Sequence, residues 1–472
     1  MLISQLISCN DLKSEIKNKD IKLITDDSRK CRQGSIFVCH NSGREYLNQA
    51  IENGADLVVA EEKLCDNCVV VPDTRKAYAE LCAAFFGYCY KNIKMIGVTG
   101  TNGKTTTANM IFTILTLSGK KCGLMGTVKN NICGEEISAE LTTPDCFELH
   151  KMFKRLHDWG AEYCVLEASS QGLSQKRLYG IDFHIGVLTN ISEDHLDYHG
   201  TMEKYVDAKK ELFIHSDKAI INYDDKYKDV FIVASPGKVI TYSMKNNSAD
   251  FVAKCQKSDC DGSDYAVVAD YLIHRIKINM PGDFNIMNSL AAVAVGYECN
   301  ISLESCAQAL RAFGGIKGRM ELVPTDTDYK VIIDYAHTAD SLKKVLLTLQ
   351  NFPHKRIITL FGCGGDREKD KRAVMGDIAS QLSDIVIVTS DNPRSEKAMD
   401  IIDDILSGIK KDKKTVYIHE NRIKAIEYAL KIAAKGDIIL LAGKGHELSQ
   451  KSGNEIIPMD EREIVLKSIN KE

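Results

Sequence analysis

Apolar residues recur along this chain in short blocks, and the recurring pattern is a buried strand followed by a helix. In the first ninety or so residues, apolar runs predict strands over 35–38 and 55–59, mixed with helical pieces. From Ile93 the order becomes strand, glycine loop, helix. The run over 94–98 predicts a buried strand, and an apolar stripe predicts a helix over 105–117. Buried strands are also predicted at 163–167, 183–189 and 219–222, with helices over 205–213 and 286–297. After Gly318 the alternation is regular. Strands at 330–333, 356–361, 384–389, 415–418 and 437–441 are separated by helical patterns, the signature of a parallel sheet wrapped by helices. The expected fold class is α/β in three domains: a small α/β domain over 1–91, a central parallel sheet with helices over 92–317, and a Rossmann-like domain over 318–472. The glycine-rich run 314–318 is the expected hinge.

Composition narrows this reading without redirecting it. The 472 residues are too many for one ordinary core. With 44% hydrophobic and 27% charged residues, the chain is globular rather than disordered. A net charge of -4 gives no footprint for nucleic acid. No apolar run reaches membrane-span length and the first residues lack a secretory pattern, so a cytoplasmic protein without membrane insertion is expected, acting as a monomer. The 16 cysteines are scattered. Cys65 and Cys68 make one CxxC with no second pair at zinc-ribbon spacing, which favours free structural thiols over metal or redox chemistry.

The sharpest chemical signal is Gly97-Val98-Thr99-Gly100-Thr101-Asn102-Gly103-Lys104-Thr105-Thr106. Strand, glycine turn, Lys-Thr and helix together hold phosphates: glycines let backbone N–H groups approach, and the helix N-terminus adds partial positive charge. Lys104 would bridge the outer phosphates and Thr105 would ligate Mg²⁺. The spacing departs from G-x-x-x-x-G-K-[ST], because Val98 stands where that pattern has glycine. Glu167 ends a predicted strand, as a metal-directed carboxylate or as a capping or surface one. Asp194, His195 and Asp197 follow another strand, where they could bind metal or pair with each other. Lys209, on its amphipathic helix, is most simply a solvated charge.

These residues resemble the Mur ligases of peptidoglycan synthesis. The resemblance rests on Gly97 to Thr107, Asp194-His195-Leu196-Asp197, Ala208-Lys209, Gly318-Arg319-Met320-Glu321, Asp334-Tyr335-Ala336-His337-Thr338, Gly362-Cys363-Gly364-Gly365-Asp366-Arg367 and Gly443-Lys444-Gly445-His446-Glu447. It covers nearly the whole chain, in the family's order, and looks like the branch that makes the muramoyl-tripeptide. It implies a first domain that binds UDP, a central P-loop ATPase-type domain and a third domain that binds the amino acid. The implied activity is ATP-dependent amide formation through an acyl phosphate, the acceptor being UDP-N-acetylmuramoyl-L-alanyl-D-glutamate. ATP and Mg²⁺ are the implied cofactors.

By the same resemblance, Gly100, Thr101, Asn102, Gly103, Lys104, Thr105 and Thr106 hold the phosphates, while Glu167, His195 and Lys209 join Thr105 at the metals, Lys209 as a carbamate. Catalysis is assigned to Lys104, Glu167, His195 and Lys209. Asn285 and Asn288 match the adenine contacts, helix capping by Asn285 being the plainer alternative. Arg319, Asp334 and His337 would reach the nucleotide from the third domain. Ser28 looks like the uridine contact, and Thr142, Thr143, Ser169, Gln175 and Arg177 match positions that hold the muramoyl-dipeptide, although such residues alone are more often caps or turns.

Asp391-Asn392-Pro393-Arg394 resembles the signature of enzymes that add meso-diaminopimelate. Arg394 and Arg367 can pair with carboxylates, a local turn cap being the plainer alternative for Arg394, and Gly443 and Glu447 can engage the far head group. Lysine lacks the second carboxylate and would leave a buried arginine unpaired. The chain departs from the family's pattern in the shortened segment 37–43, at Leu141 and at Ala339. Alternatives are a related ligase that adds L-lysine or another amino acid, a folylpolyglutamate-synthetase-like ligase, and a nucleotide-dependent binding module.

Overall fold

The computed structural model describes residues 1–6, 18–410 and 415–470. Its strands assemble into three main sheets and one small hairpin. The first sheet is parallel, in the order Leu23–Thr25, Ser35–Val38, Ala55–Ala60 and Cys68–Val70. Its apolar faces are covered by the helix Thr74–Phe85 on one side and a cysteine-rich cluster on the other. Every described cysteine, Cys65 and Cys68 included, is a free thiol.

The central sheet has eleven strands. Its middle is parallel, with Lys94–Thr99 between Phe183–Leu188 and Tyr163–Glu167. Cys122–Met125 extends it on one side, and Ser216–Asn222 with Lys238–Ser243 on the other. Both edges turn antiparallel, through Lys129–Ile132 with Glu135–Ser138 and through Phe251–Asp259, Gly262–Ala269 and Leu272–Ile278. These edge hairpins were not read from the sequence. They alternate buried and exposed positions, a weaker local signal than the continuous apolar runs of the parallel strands. The helix Asp283–Glu298 is buried along most of its length and closes one face of the sheet.

The third sheet runs Glu321–Val323, Lys330–Asp334, Ile438–Ala442, Ile357–Phe361, Ile385–Thr389, Thr415–His419, parallel except for its first strand. The regular alternation after Gly318 is this sheet. Most expected elements lie within a residue or two of the observed ones. The largest shifts are the strand Ser216–Asn222 and the helices Asp283–Glu298 and Met202–Ile214, each beginning three residues earlier than the apolar run indicated. Each extra segment, Ser216-Asp217-Lys218, Asp283-Phe284-Asn285 and Met202-Glu203-Lys204, is mainly polar, so hydrophobic pattern alone does not mark it.

Within 314–318, Gly315 and Gly318 have positive φ. A Cβ on Gly318 would lie 2.2 Å from the backbone of Gly445 and His446, so this turn is pressed against the third domain.

Candidate active site

The phosphate loop, Glu167, His195, His337, Arg367, Asp391–Arg394 and Gly443 lie at or just beyond carboxyl ends of parallel strands, where α/β sheets bind ligands because helix N-termini and loops converge there. Lys94–Thr99 leads into the glycine turn, and Gly103, in a left-handed conformation, caps the helix Lys104–Leu117. A Cβ on Gly100 (φ +145) would lie 1.9 Å from Thr189 Oγ1, so the turn tolerates no side chain there. Lys104 folds back over the loop and donates to the carbonyls of Gly100 and Thr101, both at 2.8 Å. Burial depresses its pKa, with Glu167 and Asp194 opposing.

Glu167 is fully buried. Its Oε2 accepts from Thr105 Oγ1 and Thr127 Oγ1, both at 2.8 Å, and its Oε1 accepts from Thr127 N at 2.8 Å. A surface carboxylate is therefore not what the structure contains. Thr127 Oγ1 also lies 3.1 Å from Thr142 Oγ1, which joins the muramoyl-dipeptide candidates to the phosphate loop. Thr127 was missed from the sequence. Its signal is positional: it stands just beyond the strand Cys122–Met125, on the same sheet edge as Glu167.

Lys209 is 1% exposed, so it is no solvated charge. Its Nζ donates to the Gly100 carbonyl at 2.9 Å. Burial, followed by the proximity of Lys104, pushes its pKa well below the ordinary value. The spacing of Tyr205, Val206, Lys209, Leu212 and Phe213 already puts it on the buried helical stripe. His195 pairs with Asp194 at 3.5 Å across a left-handed backbone turn. Burial lowers the His195 pKa against the pull of Asp194. Burial raises the Asp194 carboxyl, but His195, His337 and Lys104 outweigh it and hold it below the usual range.

Among the described residues, no group of three or more His, Cys, Asp or Glu side chains forms a metal cage. The donor chemistry nevertheless fits a hard cation. Glu167 is a buried carboxylate that forms no ion pair among the described residues, and its companions are hydroxyls.

A cavity of about 890 Å³ opens beside the loop. Asn102, Gly103, Thr106, Asn285 and Asn288 line it from the central domain, and Arg319, Asp334 and His337 from the third. Asn285 is not a cap: Gly282 holds that position, and Asn285 Nδ2 donates to the Pro281 carbonyl at 2.8 Å. Asn288 Nδ2 donates to Asn285 Oδ1 at 3.2 Å, so the two amides act as a pair. Arg319 stacks on Tyr335, 4.5 Å from the ring centroid. Burial raises the Asp334 carboxyl against Arg319, and burial lowers His337.

The muramoyl-dipeptide candidates are mutually bonded. Thr143 Oγ1 donates to the Glu167 carbonyl at 2.7 Å and lies 2.9 Å from Ser169 Oγ. Arg177 donates to the Thr143 carbonyl at 2.7 Å and to Gln175 Oε1. Ser169 also caps the helix Ser170–Ser174, so its turn role is real. Ser28 stands apart in the first domain, buried, donating to Gln49 Oε1 at 2.7 Å.

In the third domain two loops are stitched into one surface. Gly365 N donates to the Asn392 carbonyl at 2.9 Å, and Arg394 Nη1 donates to the Gly365 carbonyl. Asn392 Nδ2 and Lys444 Nζ both donate to Glu447 Oε2 at 2.9 Å. Burial raises the Glu447 carboxyl, but Lys444 outweighs it and holds the carboxyl below its usual range. Gly443 packs on Asp391, where a Cβ would meet Oδ2 at 2.8 Å. Pro393 carries the chain into Arg394, which adopts positive φ, its backbone bridged to Lys451 and Gly453. Arg367 faces the central domain, 3.9 Å from Asp197. Buried Arg372, unremarked in the sequence, holds Glu396 and Asp404 at 2.8–2.9 Å beneath both loops.

Residues 98–296 match the Mur ligase middle domain, and residues 318–445 match the domain described as Mur ligase, glutamate ligase domain. Over 467 residues the chain is 43% identical to UDP-N-acetylmuramoyl-L-alanyl-D-glutamate–2,6-diaminopimelate ligase 1 of Clostridium acetobutylicum, covering 97% of this chain and 95% of that protein. The chain belongs to the Mur ligase family. This Mur ligase is also 42% identical to the diaminopimelate ligase of Clostridium perfringens, covering 98% of this chain and 99% of the relative. A solved structure of a UDP-N-acetylmuramoyl-L-alanyl-D-glutamate–2,6-diaminopimelate ligase superposes with TM-score 0.70 at 31% identity, covering 100% of this chain and 99% of that one. The three-domain α/β architecture and the ATP-dependent ligase class are those of the family.

Proposed function

We propose that this Mur ligase joins meso-diaminopimelate to UDP-N-acetylmuramoyl-L-alanyl-D-glutamate at the expense of ATP, in the cytoplasm. The observation that carries the choice of amino acid is Arg394. Its side chain forms no ion pair among the described residues and lies on a surface that also presents Glu447. A substrate with a distal carboxylate and an amine satisfies both signs of charge, whereas lysine would satisfy only one. Domain borders near 91 and 317 are part of this reading.

Bound ATP supplies the phosphoryl group that activates the acceptor carboxylate as an acyl phosphate. The chain's own task is to bring anions together and hold them aligned. Lys104 and the loop N–H groups neutralise the phosphate side, and Arg319 and His337 close on it from the third domain. Thr105, Glu167 and His195 are the residues that would hold Mg²⁺, which screens charge at the transferring group. Lys209 is buried and its pKa is pushed well below the ordinary value, which favours the neutral amine, the form that reacts with CO₂ to give a carbamate. That change turns a buried base into a carboxylate-like ligand. Thr142, Thr143, Ser169, Gln175 and Arg177 orient the acceptor peptide, and Ser28 meets the uridine.

The test is to incubate the protein with ATP, Mg²⁺ and UDP-N-acetylmuramoyl-L-alanyl-D-glutamate, offering meso-diaminopimelate and L-lysine in parallel, and to identify products by mass. A diaminopimelate adduct with little lysine adduct is expected. Preference for lysine would remove the role given to Arg394 while keeping the ligase. No adduct from folded, ATP-binding protein would reject the proposed acceptor.

A further inference from the structure

Asp340 lies in the first turn of the helix Ala339–Gln350, three residues beyond His337. That helix start is rigid, because Thr338 and Ser341 cap each other reciprocally. The Asp340 carboxylate reaches out of the third domain. Its Oδ2 accepts from Asn102 Nδ2 at 3.2 Å and from Ser192 Oγ at 3.0 Å, both in the central domain. Lys344 Nζ, on its own helix, donates to the same oxygen at 2.7 Å.

Both central-domain donors sit on a stiff corner. The Asn102 N–H donates to Asn190 Oδ1 at 3.1 Å, and its carbonyl accepts from Thr189 Oγ1 at 2.6 Å. Ser192 N donates to Thr101 Oγ1 at 2.9 Å. One carboxylate oxygen thus grips the phosphate loop and the segment leading to His195 together, from across the domain boundary. Lys344 also lines the nucleotide cavity and offsets the charge that Asp340 brings beside it.

We propose that Asp340 is a positioning residue that registers the third domain on the phosphate loop, so that Arg319 and His337 meet the nucleotide only in the closed molecule. Helix capping would not need it, since Thr338 performs that role. The inference rests on the ligase reading above, because turnover is what closure serves.

Steady-state ligation and small-angle X-ray scattering with ATP and acceptor test it, on wild type, Asp340→Ala, Asp340→Asn, Ser192→Ala and the Ser192→Ala/Asp340→Ala double variant. Asp340→Ala should lose on the order of 10-fold in kcat, as expected for a lost hydrogen bond to a charged group. Its scattering radius with ATP and acceptor should also exceed that of wild type. Asp340→Asn, which retains an acceptor oxygen, should recover much of both. The double variant should be no worse than Asp340→Ala. Wild-type turnover and compaction in Asp340→Ala, or multiplied losses in the double variant, would overturn the latch. If wild type compacts but forms no amide, the ligase reading fails and the scattering arm alone decides the latch.

Discussion

At the residue scale, the site depends on charged groups whose burial is tolerated only because something faces them. Lys104 caps two loop carbonyls and, among the described residues, meets no carboxylate at hydrogen-bond range, so its charge is directed at a ligand. Lys104→Ala is expected to abolish product in the mass assay, and substantial residual ligation would contradict the role. Arg394→Ala should weaken diaminopimelate use by about 2–5 kcal/mol in kcat/KM if a buried charge pair is lost. Unchanged KM and kcat would reject that pairing. Away from the site, His150 is buried between Tyr90 and Phe153, and its Nε2 has no partner among the described residues. Burial pulls its pKa from 6.5 down to about 4. The unfolded chain therefore binds a proton that the folded one refuses, and stability falls as pH drops from 6.5 towards 4. His150→Phe should gain on wild type by roughly 2 kcal/mol between pH 7 and pH 5 in urea unfolding. A pH-independent difference would mean that His150 protonates freely in the fold.

At the scale of elements, strand ends and their loops make the chemistry. Apolar runs located the central strand Lys94–Thr99 and the third-domain strands because both faces of a parallel strand are buried. The functional loops follow at their carboxyl ends, so a strand position is also a site position. What the pattern could not reveal is how neighbouring loops are fixed to one another. Arg372 lies on the helix Asp370–Leu382, and its guanidinium ties Glu396 to Asp404. Glu396 Oε1 in turn accepts from Asp366 N at 2.6 Å, so the pair supports the loops bearing Arg367 and Arg394. Glu396→Gln should raise KM for the amino acid several-fold and leave KM for ATP unchanged, because neither Glu396 nor the loops it supports line the nucleotide cavity. Equal change in both KM values in the ligation assay would point to a general loss of folding instead.

For the whole molecule, the central and third domains share the cavity beside the phosphate loop, and the proposed reaction brings two anions together there. Phosphate release should therefore require ATP, acceptor and amino acid together. Steady release from ATP alone, measured by a phosphate assay, would favour a nucleotide switch over a ligase. The phosphate-loop pattern and the hydrophobic blocks of the parallel strands were legible in the chain because each is contiguous, whereas the Asp391–Arg394 signature was read only through its resemblance to diaminopimelate-adding enzymes. The buried state of Glu167 and Lys209 was not settled locally, since a charged residue on an amphipathic pattern can face either way until a neighbour covers it. Thr127 reaches Glu167 across 40 residues, and Asp340 reaches Ser192 and Asn102 across 148 and 238. No spacing rule joins such positions. Their partnership exists only where sheet order brings strand ends together and one domain closes on another, and that is a property of the tertiary structure.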